Sequence, residues 1–225
     1  MGLNIKTLKI LVIDVGGTHI KVRATTNKEL LEIPSGPTMT AGKMITALRK
    51  STAGWVYDAV TIGYPGVVVH GHIACEPYNL APGWVGFDFK KALARPVKII
   101  NDASMQALGT YHGGRMLFLG LGTGLGSVLI IDGVIESMEL AHLPYKHGKT
   151  YEDYVGVTGL KRLGKKKWRH EVRDIVKKFK AAFQVDYVVL GGGDAKLLKK
   201  VSPDTHLGDN ADAFLGGCRL WKKHT

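Results

Sequence analysis

The chain has 225 residues, with 31 lysines and arginines against 19 acids for a net charge of +12, and 45% of its residues are hydrophobic. So much apolar material excludes a disordered chain, and the length suits one large domain or two smaller lobes, each able to bury a core. Cys75 and Cys218 stand far apart, which excludes a disulfide framework and a four-cysteine zinc site and fits a reducing, cytoplasmic setting. The apolar run from Leu8 to Val15 is interrupted by Lys9 and Asp14; it is too short to span a membrane and wrong for a secretion signal. Lys6 stands where a myristoylation signal needs Ser or Thr, so no membrane partner is expected. The excess charge implies an anionic partner, without choosing among nucleic acid, phosphorylated small molecules and lipid headgroups.

In chain order, KILVIDVGGTHIKVRATT reads as strand, Gly-rich turn and strand, since β-branched residues flank Gly16 and Gly17 on both sides. A strand from Glu29 to Ile33 leads to a helix opening near Thr40, with Met44, Ile45 and Leu48 at helical spacing. Ala59 to Ile62 is a buried strand. The segment from Glu76 to Phe89, EPYNLAPGWVGFDF, carries more rings than a solvated loop needs and is expected to line a cleft. Val97 to Ile100 is a short strand ending in Asn101-Asp102, and ASMQALGTY follows as a helix.

Arg115 to Gly120 and Ser127 to Ile131 are strands joined by GLGTGLG, and Asp132-Gly133 turns a second hairpin. Thr150 is placed to cap a helix through Tyr154. From Trp168 to Phe183 the pattern is amphipathic, with Val172, Ile175, Val176 and Phe179 on one face and a basic face opposite. Tyr187 to Leu190 is a strand feeding Gly191, Gly192 and Gly193 and then a helix. Asp209 or Asn210 caps a last helix with an apolar stripe of Phe214, Leu215, Cys218 and Trp221. The strand, Gly turn, strand unit thus occurs twice, near residues 15 and 123, as two similar lobes would give.

Three glycine loops carry the chemistry. In LVIDVGGTHIKV, Gly16 and Gly17 let backbone N–H groups approach phosphate oxygens, Thr18 adds a hydroxyl and Lys21 a cation. Asp14 would repel phosphate directly, so its functional role is to hold Mg2+ through water; a plain hairpin with an incidental Asp is the alternative. The second loop contains Gly122, Thr123 and Gly124, but it fails the GxGxxG pattern in both registers, and a strand follows it, which excludes a dinucleotide fold. It is suited to hold phosphate. Gly191, Gly192 and Gly193 would receive a ribose or base at a helix N-terminus.

Together these loops resemble the ROK (repressor, open reading frame, kinase) sugar kinases, in an order that continues through GYPGVV at Gly63, NLAPGW at Asn79, NDA at Asn101 and ELAH at Glu139. ELAHLPYKHGKTYEDYVG is most similar to the polyphosphate glucokinase subgroup. The resemblance implies an α/β, two-lobed actin-like ATPase (ribonuclease H-like) fold, with sugar and donor meeting between the lobes. The expected division is 1–102, 103–208 and a helix in 209–225 that packs back on the first lobe. It implies a phosphotransferase acting on the 6-hydroxyl of glucose or a close hexose, with Mg2+ as cofactor and Asp102 as general base. Gly66, Asn79, Asn101, Glu139, His142 and Glu152 would hold the sugar, and a homodimer is compatible with the resemblance. The chemistry agrees: an attacking hydroxyl needs a carboxylate within reach, and sugar hydroxyls need partners that donate and accept. Asp102 could equally cap the following helix, and Glu152 could serve a helix N-terminus.

Two departures stand out. The family's cysteine-rich zinc motif between His and Glu is missing, only nine residues separating His142 from Glu152, and Ala141 replaces a usual glycine. No zinc is expected. A DNA-binding repressor needs a helix-turn-helix, for which the start at residue 10 of the first hairpin leaves no room, so no nucleic-acid partner is expected. A sugar sensor without turnover is the other alternative. The phosphate donor is polyphosphate or ATP, or both. From Lys161 to Lys180 ten lysines and arginines face two acids; this is either a solvated helix face or, with Lys165, Lys166 and Lys167, the path of a polyphosphate chain.

Overall fold

The computed structural model describes residues 8–209 and 211–222; Lys6 and Asn210 lie outside the described residues. The chain forms two compact units, one of residues 1–105 and 213–225 and the other of residues 106–212. Among the described residues no helix is long and apolar enough to cross a membrane.

In the first unit, β1 (Ile10–Val15) and β2 (His19–Ala24) form the expected antiparallel hairpin, and β3 (Leu31–Pro34) extends it on the far side of β2. α1 (Ala41–Ser51) opens at Thr40, whose hydroxyl accepts the Lys43 N–H, and buries Met44, Ile45 and Leu48. β4 (Ala59–Tyr64) then lies parallel to β1, and its six residues are all buried, as a strand covered on both faces requires. A small hairpin, β5 (Val68–Val69) with β6 (His72–Ile73), and a short α2 (Phe89–Leu93) precede β7 (Val97–Asn101), which is parallel to β4. The sheet order is β3-β2-β1-β4-β7. α3 (Asp102–Thr110) leaves the end of β7, with the Asn101 Oδ1 accepting the Ser104 N–H as its cap.

The second unit repeats this order. β8 (Arg115–Leu121), β9 (Leu125–Ile131) and β10 (Val134–Met138) form an antiparallel meander, turned at Asp132 and Gly133, both at positive φ. A hairpin of β11 (Pro144–Lys146) and β12 (Lys149–Thr150) follows, then α4 (Glu152–Val155) and the long α5 (Val157–Phe183). Gly164 breaks α5 with φ 73° and ψ 159°, a conformation glycine tolerates best. β13 (Tyr187–Gly191) and β14 (Thr205–Leu207) complete a sheet ordered β10-β9-β8-β13-β14, parallel from β8 onward. The echo between residues 15 and 123 is therefore one topology used twice.

α6 (Asp212–Arg219) supplies residues to the first unit. Ala213 and Phe214 pack with Ile10, Val12 and Met105, the Thr61 hydroxyl donates to the Gly217 carbonyl, and the Trp221 indole donates to the Thr61 oxygen.

Two local expectations need correction. No α-helix follows Gly193: a single 3-10 turn, Ala195–Leu197, ends where Leu198 turns extended, its N–H already bonded to the Ala195 carbonyl, and irregular chain leads to β14. Leu215 is exposed rather than part of the buried stripe of α6. Of the rings between Glu76 and Phe89, Trp84 and Phe89 are buried in the first unit's core with Phe87 packed against it, and the same three line a cavity with Ile73, Val97 and Ile99; Tyr78 instead is almost fully exposed.

Candidate active site

In the first unit, the C-terminal ends of parallel strands β1, β4 and β7 collect the expected residues. The registers place Asp14 beside Gly63 and Tyr64 beside Asn101. Asp14 also lies across the hairpin from Lys21. Space forces glycine at 16, where a Cβ would stand 2.6 Å from the His19 carbonyl oxygen, and is tight at Gly17, where a Cβ would stand 3.2 Å from the Asn79 Cβ. Asn79 thus sits directly over the turn that carries Thr18, whose side chain is exposed. The Asn101 amide donates to the Gly66 carbonyl at 3.1 Å, tying the strand end to GYPG.

Asp102 accepts the Ala103 N–H at 2.8 Å. Burial pushes its carboxyl up to about 7, and the negative charge of Asp14 adds to the rise. Burial likewise pushes Asp14 up to about 6, against the pull of Lys21. Both residues are half-buried as a whole, and desolvation is the larger cause of each rise. Both carboxyls are thus raised toward neutrality, and each charge opposes ionisation of the other.

Among the described residues there is no cluster of three or more His, Cys, Asp or Glu able to cage a metal. A cation here would be held by one or two carboxylates together with phosphate and water, which is how Mg2+ binds. Asp14 fits: it is a hard oxygen donor whose charge is opposed by burial and unneutralised by contact.

Sequence reasoning missed Glu76. Its carboxylate accepts the backbone N–H groups of Gly83, Trp84 and Val85 at 3.0, 3.0 and 3.2 Å, closing the loop that presents Asn79. Burial pushes its pKa up, but the three N–H groups outweigh that and hold the carboxyl below its usual range. Nothing in the local pattern marks a residue whose partners lie seven to nine positions on.

In the second unit, Gly122, Thr123 and Gly124 form the tip of the β8–β9 hairpin, and Thr123 is exposed. The Glu152 carboxylate accepts the Leu125 N–H at 3.0 Å through Oε2, and a Cβ on Gly124 would stand 2.2 Å from that oxygen. Glu152 is therefore brought to the glycine loop by its Oε2. Glu139 and His142 flank a 3-10 turn with Oε2 and Nε2 3.6 Å apart, both exposed. The Ser127 hydroxyl, donating to Met138 and accepting from Leu140, fastens that turn to β9.

Gly191 and Gly192 have structural reasons to be glycine. A Cβ on Gly191 would meet the Phe118 ring at 2.4 Å, and one on Gly192, at φ +81°, the Leu121 carbonyl at 2.3 Å; Gly193 faces open space. Lys165, Lys166 and Lys167 are exposed on α5 just past the Gly164 break.

A polar and aromatic clamp, also missed, occupies the stretch between His142 and Glu152. The Tyr145 hydroxyl lies 2.8 Å from Glu171 and 2.5 Å from Asp174, and Lys146 and Lys178 pair with the same acids. Tyr145 stacks on Tyr151 and meets Tyr154 edge-on. The hydrogen bonds from Lys178 and Tyr145 hold Asp174 well below the usual carboxylate range, while burial and the acids hold the Tyr145 hydroxyl protonated.

Two units sharing one strand order, each carrying a glycine hairpin between its first two strands, define the actin-like ATPase fold class. The ROK family sequence profile matches residues 10–137. The chain belongs to the ROK family. The polyphosphate glucokinase of Mycobacterium tuberculosis is 28% identical over 215 residues, spanning 85% of this chain and 80% of that protein. The kanosamine kinase of Amycolatopsis mediterranei is 30% identical over 142 residues, 55% of this chain and 46% of that protein. The crystal structure of the inorganic polyphosphate/ATP-glucomannokinase from Arthrobacter sp. strain KM superposes with a TM-score of 0.79 at 22% identity, covering 95% of this chain and 98% of that one.

Proposed function

We propose that this protein is a sugar kinase that transfers a terminal phosphoryl group to the 6-hydroxyl of glucose or a close hexose, using polyphosphate, ATP or both as donor. The observation that carries the reading is Asp102: a desolvated carboxyl raised to about 7 beside Asp14 at the sheet's C-terminal edge. A general base works best with its proton affinity near the working pH. Asp102 takes the proton from the attacking hydroxyl, while Asn79, Asn101 and Gly66, with Glu139, His142 and Glu152, orient the sugar. Gly16, Gly17, Thr18 and Lys21, and Gly122, Thr123 and Gly124, supply N–H, hydroxyl and ammonium groups to the phosphates. Asp14 would hold Mg2+ through water, and the ion would supply positive charge toward the donor phosphates.

The similarity to polyphosphate glucokinases supports polyphosphate as a donor. The Gly191 to Gly193 turn, without a helix behind it, offers less to a nucleotide than a helix N-terminus would. A coupled assay with glucose, run separately with ATP and with long-chain polyphosphate, tests the reading. Glucose 6-phosphate from at least one donor is expected; no turnover with either, in protein that binds glucose, would leave a sugar sensor instead.

A further inference from the structure

The second unit holds a groove of about 720 Å3 between α5 and the chain from Leu198 to Thr205. Its walls carry four cations, Arg173, Lys177, Lys180 and Lys200, against one carboxylate, Asp204. That acid is already paired with Lys180 at 2.5 Å. Lys177 and Lys200 are exposed and have no partner among the described residues, and the Arg173 Nε–H donates to its own helix at Arg169. The floor is apolar, with Val172, Val176, Leu190 and Leu198 all buried. Such a floor offers no acceptor to compete for the cations, and low-dielectric walls concentrate their field. No aromatic ring lines the groove, so nothing stacks a base, as a single-stranded nucleic acid or an adenine would need.

The groove adjoins the third glycine turn. Leu190 lines it and directly precedes Gly191, and the Arg169 Nε–H donates to the Leu197 carbonyl at 2.6 Å just past that turn. Beyond the Gly164 break, helical spacing sets Lys165, Arg169, Arg173 and Lys177 on one stripe, four residues or about 6 Å apart. Lys166 falls in line with His170 and Asp174, and Lys167 with Glu171, on the stripes that carry the acids of the Tyr145 clamp.

We infer that this groove is the path of a linear polyphosphate beyond its reacting end, held by Arg169, Arg173, Lys177 and Lys200, with Lys165 at its head and Lys166 and Lys167 outside it. The assignment rests on polyphosphate being a donor. A chain running down the stripe meets one cation per helical turn, whereas ATP ends after three phosphates and gains little from them.

The test compares Arg173→Glu/Lys177→Glu/Lys200→Glu and Lys166→Glu/Lys167→Glu with wild type, using long-chain polyphosphate, tripolyphosphate and ATP as separate donors. The groove variant is expected to raise the apparent KM for long polyphosphate at least ~10-fold, while its KM for ATP and glucose stays within about twofold. The penalty should shrink with tripolyphosphate. The log–log salt dependence of long-chain binding, followed by isothermal titration, should flatten by about 2 in slope for three lost contacts. Lys166→Glu/Lys167→Glu is expected to change the long-chain KM by less than about twofold. An unchanged long-chain KM in the groove variant, or an equal rise in the ATP KM, would overturn the path and leave the donor reading standing. Wild type that draws no phosphate from polyphosphate would overturn both, and RNA displacing polyphosphate at equal charge concentration would reassign the groove.

Discussion

Asp102→Asn separates function from stability, because the two should move in opposite directions. Asparagine keeps an Oδ1 to accept the Ala103 N–H, seen at 2.8 Å, so the start of α3 survives. It removes the proton acceptor, and turnover is expected to fall at least ~100-fold, the lower range for a positioned base. Stability should rise. The carboxyl's folded value of about 7 lies above its ordinary 3.8, so the folded state holds its proton more tightly than the unfolded chain does. Its favourable contribution is therefore complete below about pH 4 and is lost as pH rises through 7. At pH 8 wild type carries an ionised carboxylate beside Asp14, a strain on the order of 1–3 kcal/mol once the residual solvent contact is allowed for. Thermal denaturation in EDTA should show the variant melting several degrees higher at pH 8, with the gap closing toward pH 4.5. Superimposable melting curves across that range, or near-normal turnover in the variant, would refute the reasoning.

Other perturbations probe the supports of the site. Glu76→Ala leaves the N–H groups of Gly83, Trp84 and Val85 without their acceptor; the KM for glucose should rise several-fold more than kcat falls, with partial rescue in Glu76→Gln, as steady-state kinetics would show. Gly191→Ala forces a Cβ against the Phe118 ring, whereas Gly193→Ala meets nothing within 4 Å, so urea unfolding should register a loss of about 1–3 kcal/mol for the first and little for the second. Glu171 and Asp174 are held below their usual range by Lys146, Lys178 and Tyr145. Their contribution is thus present above about pH 4.5 and fades on acidification. Tyr145→Phe should lower the melting temperature at pH 7 and weaken glucose binding by calorimetry.

Much of this was legible in the sequence where the signal is local. Both glycine hairpins, the Thr40 cap and the Val172 to Phe179 stripe sit where periodicity and turn chemistry put them, and the repeated strand order follows from them. Signals that depend on distant partners were not legible. Glu76 is defined by N–H groups of a later loop, and the Tyr145 clamp by acids on α5. The rings of Trp84 and Phe89 serve the core and line a cavity, while composition alone does not say that Tyr78 in the same loop faces solvent. Likewise, three consecutive lysines read as one patch until the Gly164 break set the phase of the helix that follows.

The place of α6 has a consequence for how the chain comes to be folded. The second unit is one continuous stretch, residues 106–212, while the first is completed only by residues from Ala213 onward. Until that stretch exists, Val12 lacks the close contact with Gly217, and Thr61 lacks both the Gly217 carbonyl and the Trp221 indole. During synthesis the half of the protein made first therefore waits for residues made last, while the later half has all of its residues before then. Asp14 stands on β1 and Asp102 opens α3, both within the half that waits, so a chain that has just reached residue 212 holds every residue of the second unit and still lacks part of the first.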